Sequence, residues 1–125
     1  MATDKLKVGM TAVVDTVITK DLSTNRIGRP GAEVLSTPSL LKLMELASMQ
    51  ATDSQIPDTH TSVGYAVDEM RHLAPAAMGA TVTVKAVVTA IDKNKISYTI
   101  EAHEGGKLIG KALHKRAIIP KDPPK

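Results

Sequence analysis

Three polar residues interrupt otherwise apolar stretches of this 125-residue chain, and each is of a type that can do chemistry. Glu45 lies inside "LLKLMELASM", where a carboxylate in low dielectric is costly unless it is paired or protonated. It reads either as an ordinary surface partner of Lys42, three residues earlier, or as a carboxylate held at the edge of a cleft. Thr37, just before Pro38, reads as a helix N-cap. The same place offers a hydroxyl and unpaired helix N–H groups to a developing oxyanion or a phosphate. His72 falls in "MRHLAPAAMG", where a strand runs into a bend. It is either a hydrogen-bonded structural residue or a base working near neutral pH. Eight helical residues separate Thr37 from Glu45 by about 12 Å along the axis. Joining them takes a substrate that spans both or a residue from elsewhere, such as a second subunit.

The elements that must position these residues are legible from periodicity. "TPSLLKLMELASMQA" (37 to 51) reads as a helix, with Pro38 in the first turn and Leu40, Leu43, Met44, Ala47 and Ala51 at helical spacing. Leu41 and Leu46 widen its apolar face nearly all round, so it is expected to be buried. Strands are expected at 11 to 19, 61 to 71, 80 to 91, 96 to 104 and 107 to 119. "DKNK" and "EGG" are hairpin connections, so the last three strands should form an antiparallel meander. Val82, Val84, Ala86, Val88 and Ala90 alternate onto one face, as do Ile96, Tyr98, Ile100 and Ala102. A sheet with one apolar face needs a cover, and the helix is the only candidate. The expected architecture is a long antiparallel sheet, α+β in class, curled around one helix.

Composition narrows the function classes. The length fits a single domain over 1 to 125, with polar or proline-rich tails at about 1 to 5 and 120 to 125. No signal-type run and no stretch of about 18 apolar residues occurs, so a cytoplasmic protein without a membrane span is expected. Without cysteine there are no disulfides, thiolate nucleophiles or thiolate metal sites. His60, His103 and His114 have no zinc-type spacing with one another or with His72, so neither metal nor cofactor is expected, and His60 in a polar loop and His103 beside a turn receive no chemical role. The net charge of +3 is modest, and two tyrosines are the only aromatics, which disfavours stacking on nucleic acid. The "HKR" run at 114 to 116 reads as a solvated strand face or as a contact to an anionic ligand. A core built without Phe or Trp is thin for one small domain, and dimerisation would extend it.

Together, "STPSLLKLMELAS", "VGYAVDEMRHLAPAAMGATVTVKAVV" and "GKALHKRAII" resemble the hotdog-fold thioesterases, in particular the group similar to fluoroacetyl-CoA thioesterase. The resemblance covers about residues 33 to 119. It implies a hotdog fold of five or six antiparallel strands around a central helix, working as a homodimer on an acyl-CoA substrate. It implies a catalytic set of Thr37, Glu45 and His72, with Gly64 and Arg116 holding the acyl-CoA. Glu45 then serves as nucleophile, base or orienter of the imidazole. Two departures stand out. "STNRIGRPGAEVL" (23 to 35) has no phenylalanine where the family's lid carries several, which leaves the acyl group unassigned. The segment from Gly64 to His72 holds one residue more than common relatives, which a bulge would absorb or which would re-aim His72. Alternatives to hydrolysis are a hotdog hydratase or dehydratase and a non-catalytic acyl-CoA binding module.

Overall fold

The computed structural model describes residues 1–24 and 33–122. Among them are strands β1 (Thr11–Val17), β2 (His60–His72), β3 (Thr81–Asp92), β4 (Lys95–Glu104) and β5 (Lys107–Pro120), and one α-helix, α1 (Thr37–Thr52). The strands form a single sheet in the order β1-β3-β4-β5-β2, with every neighbouring pair antiparallel. The β3-β4-β5 meander turns where the sequence indicated, through Lys93 (φ 57°) and Gly105 (φ 63°). The residues that alternate inward on β3 and β4 are buried, from Val82 to Val88 and from Ile96 to Ala102. Ala90 departs from the expected pattern. A register shift between Val88 and Ala90 breaks the alternation, leaving Ala90 exposed and turning Ile91 toward the core instead.

α1 lies across the inner face of the sheet, packing chiefly against β3 and β1 and much less against β5 and β2. It buries Leu40, Leu43, Met44, Ala47 and Ala51, while Leu46 and Met49 stay exposed, so the helix is half-covered rather than enclosed. Gly110 sets its approach to β5: a Cβ there would stand 2.8 Å from Leu40 Cδ2 and 3.2 Å from Met44 Cε. The N-cap is Ser36, one residue earlier than the sequence suggested; its hydroxyl accepts from Ser39 N–H at 3.3 Å. Thr37 is thus the first helical residue, and its side chain is released from capping.

β2 is an edge strand and carries two irregularities, between Gly64 and Ala66 and between Asp68 and Arg71. Eight steps along β2, from Gly64 to His72, face only six along β5, from Arg116 to Gly110. At the second, Glu69 adopts φ 51°, a left-handed conformation that β-strand residues avoid, and stays exposed while Met70 packs toward the core. The surplus residues are absorbed locally. His72 still pairs with Gly110 and therefore shares the inner face on which α1 sits.

Candidate active site

The bend after β2 and the start of α1 meet. Thr37 Oγ1 and His72 Nδ1 are 2.8 Å apart, a side-chain hydrogen bond between residues 35 apart in sequence. The contact exists because Ser36 has taken the capping role, and because His72 ends a strand lying beside the helix start. His72 Nε2 is shielded from solvent and has no hydrogen-bond partner among the described residues. An open cleft of about 350 Å³ lies here, lined by Thr24, Leu35, Thr37, His72, Leu73 and Pro75 among others. Ser39 and Leu40 N–H are bound by Ser36 and Pro38 has none, so the first-turn donor without a partner among the described residues is the Thr37 N–H. A hydroxyl, an imidazole and a free helix N–H at one cleft are the parts needed to activate a nucleophile and receive an oxyanion.

Glu45 and the other two site candidates form a separate group about two helical turns away. Arg116 is 4% exposed and lies inside the sheet–helix layer. Its Nε donates to Ser62 Oγ at 2.9 Å, and its Nη2 donates to Ser62 O at 3.0 Å. Its Nη1 donates to His114 Nε2 at 3.2 Å and stands 3.9 Å from Glu45 Oε2. Glu45 is thus the partner of Arg116, and no ion pair joins it to Lys42 among the described residues. Gly64 faces the same group: a Cβ on it would stand 2.9 Å from His114 Cε1, 3.2 Å from Glu45 Oε2 and 3.3 Å from Arg116 Nη1. Glycine is needed there because three polar side chains already crowd the backbone.

The expectation of a solvated "HKR" face fails for two of its three residues. His114 and Arg116 are buried and only Lys115 is exposed. Alternation carried the signal, because 114 and 116 share a face with Ala112 and Ile118, both core residues. Ser62 and Asp53 are the residues of this group that composition and spacing left unremarked, while Tyr98 was legible only as a core position and His114 only as part of the "HKR" run. Ser62 Oγ donates to Asp53 Oδ1 at 2.8 Å, and the Tyr98 hydroxyl is 2.6 Å from Thr52 Oγ1. Burial pushes the His114 pKa down, with Arg116 adding to the effect against the Ala66 carbonyl and Glu45. Burial pushes Tyr98 up, offset in part by its bond to Thr52.

Among the described residues no group of three or more His, Asp or Glu side chains is arranged to hold a metal ion, and no helix is long and apolar enough to cross a membrane. The lid-equivalent stretch falls largely outside the described residues, at 25–32.

Residues 7–122 match the family model described as fluoroacetyl-CoA-specific thioesterase. The chain belongs to this family. A curated member, the fluoroacetyl-CoA thioesterase of Streptantibioticus cattleyicolor, is 33% identical over 87 residues, which span 70% of this chain and 62% of that protein. A solved fluoroacetyl-CoA thioesterase structure superposes with a TM-score of 0.84 at 28% identity, covering 94% of this chain and 90% of that one. A Thermus thermophilus member of the thioesterase superfamily gives 0.84 at 30% identity, covering 94% and 87%. The family match and these structures show the hotdog fold that the resemblance implied, and the five-stranded sheet around one helix is the architecture expected from the strand and helix pattern.

Proposed function

We propose that this chain hydrolyses an acyl-CoA thioester to a free acid and coenzyme A. The observation that carries the reading is the 2.8 Å contact between Thr37 Oγ1 and His72 Nδ1 beside a shielded, unpartnered Nε2. His72 takes the proton of the attacking hydroxyl, either Thr37's own or a water's. The tetrahedral oxyanion turns toward the Thr37 N–H at the helix start, and the C–S bond breaks as the thiol leaves with the proton held by His72. Where Thr37 attacks, water then resolves the acyl-threonine. Glu45, paired with Arg116 at 3.9 Å, completes the set from the other group, and Gly64 makes room for that pair against the β2 backbone.

Uniting the two groups falls to a second copy in this reading. β2 is an uncovered edge of 13 residues with Tyr65 and Val67 exposed beside Gly64, an edge that invites pairing unless a partner takes it. We infer a homodimer on that ground. The proposed ligand is the acyl-CoA alone, with no metal or other cofactor, within a single domain from residue 1 to 125.

The deciding experiment is thiol release from a panel of short, branched and aryl acyl-CoAs. Wild type should release thiol from at least one, and His72→Ala and Glu45→Gln should each lose at least about 100-fold, the scale of a missing acid-base group. Folded variants that match wild type would remove both residues from the mechanism. Thr37→Ser retaining activity that Thr37→Ala loses shows that the hydroxyl bonded to His72 is required; equal tolerance of both identifies water as the attacking group. A hydratase would consume an unsaturated thioester without releasing thiol, and a binding module would do neither.

A further inference from the structure

His114 is 2% exposed, yet both of its ring nitrogens are engaged. Nδ1 is 2.8 Å from the Ala66 carbonyl, which can only accept. Nε2 is 3.2 Å from Arg116 Nη1, which can only donate. These two partners admit one protonation state: a neutral ring with the proton on Nδ1 and a lone pair on Nε2. The ring is also clamped from the side. Tyr98 stacks on it with centroids 6.0 Å apart at 30°, and Tyr98 is itself tied to Thr52 of α1.

We propose that His114 is a positioning residue. Its lone pair aims the Arg116 guanidinium at Glu45, and its N–H fixes the β2 backbone at Ala66, next to the bulge that presents Gly64. The Nε and Nη2 edges of Arg116 are held by Ser62, which Asp53 holds in turn. Nη1, the nitrogen that reaches Glu45, has His114 as its sole hydrogen-bond partner among the described residues. An apolar replacement leaves that nitrogen without a hydrogen-bond acceptor in a buried site, with only the Glu45 carboxylate 3.9 Å away, so the set distance between Nη1 and the carboxylate is lost. Arg116, Glu45 and Tyr98 are the ionisable groups facing the ring; burial and Arg116 oppose a second ring proton, consistent with a group built to accept. The catalytic half of this inference rests on the reading of Glu45 as a member of the catalytic set.

The test has two independent arms, both on the full chain. In ¹⁵N-histidine spectra at neutral pH, His114 should appear as the Nδ1–H tautomer, the minority form of free histidine; an Nε2–H ring would overturn the positioning. In thiol-release assays His114→Gln, whose amide oxygen still accepts from Arg116, should keep kcat within about threefold of wild type. His114→Leu should lower kcat by at least about tenfold, the scale of one lost hydrogen bond to a charged group, with KM changed by less than about threefold. Should the leucine variant fail to fold, His114→Asn replaces it, because that shorter amide reaches the Ala66 carbonyl and not Arg116. Equal kcat in the accepting and non-accepting variants overturns the proposal. Wild-type silence across the whole panel instead overturns the hydrolase reading and the catalytic half with it, and the tautomer still decides the geometry.

Discussion

Two histidines on one sheet face are put to opposite uses. His72 has one nitrogen unengaged among the described residues beside a cleft, whereas His114 has both nitrogens committed and its charge suppressed by burial. The second condition has a measurable consequence. A histidine whose folded pKa lies below its unfolded value of about 6.5 leaves the folded state with fewer protons than the unfolded one between those two values. Its contribution to stability is therefore present above about pH 6.5 and lost as pH falls through the folded pKa. Thermal melts of wild type should show a decline below about pH 6.5 that is shallower in His114→Gln; parallel profiles would mean that His114 is not the group responsible. Tyr98 acts at the other end of the scale: its raised pKa keeps stability present below about pH 10 and loses it as pH rises further.

Among the elements, α1 shows what periodicity tells and what it omits. Its span and its buried stripe were legible from Leu40, Leu43, Met44 and Ala47. Its cap was not, because Ser36 and Thr37 are both acceptable capping types and only the chain path chooses between them. Ser36→Ala should lower stability by about 1 kcal/mol in chemical denaturation, and no loss would return the capping role to Thr37. Gly110→Ala, which overpacks the seam between helix and sheet against Leu40 Cδ2, should cost about 1–3 kcal/mol in the same assay. Glu45 illustrates the limit of local spacing. Lys42 is its neighbour in sequence, but its partner came from β5, through a pairing of elements that no short window contains.

At the scale of the molecule, five strands and their meander could be read from alternation and turn residues, since those depend on near neighbours. The division of the site into two groups could not, since it depends on where β2 and β5 cross the helix. A chain with its candidate site split, an edge strand unpaired among the described residues and a core lacking Phe and Trp should associate. Light scattering at micromolar concentration should return twice the 13.3 kDa chain mass, and a persistent monomer would remove the second copy from the proposed site.

The bulges of β2 make β5 the ruler of the site. Because surplus residues on β2 are taken up without disturbing the Gly64–Arg116 and His72–Gly110 pairs, the count between Gly64 and His72 is free to drift. The six steps from Gly110 to Arg116 are not, since each faces a straight β4 on its other side. Deleting Glu69 should leave hydrolysis intact, because Met70 then simply opposes Ala112, whereas one residue inserted into β5 between Ala112 and Arg116 should abolish it. Homologues are thus better aligned by the length of their last strand than by the spacing of the motif that holds the histidine.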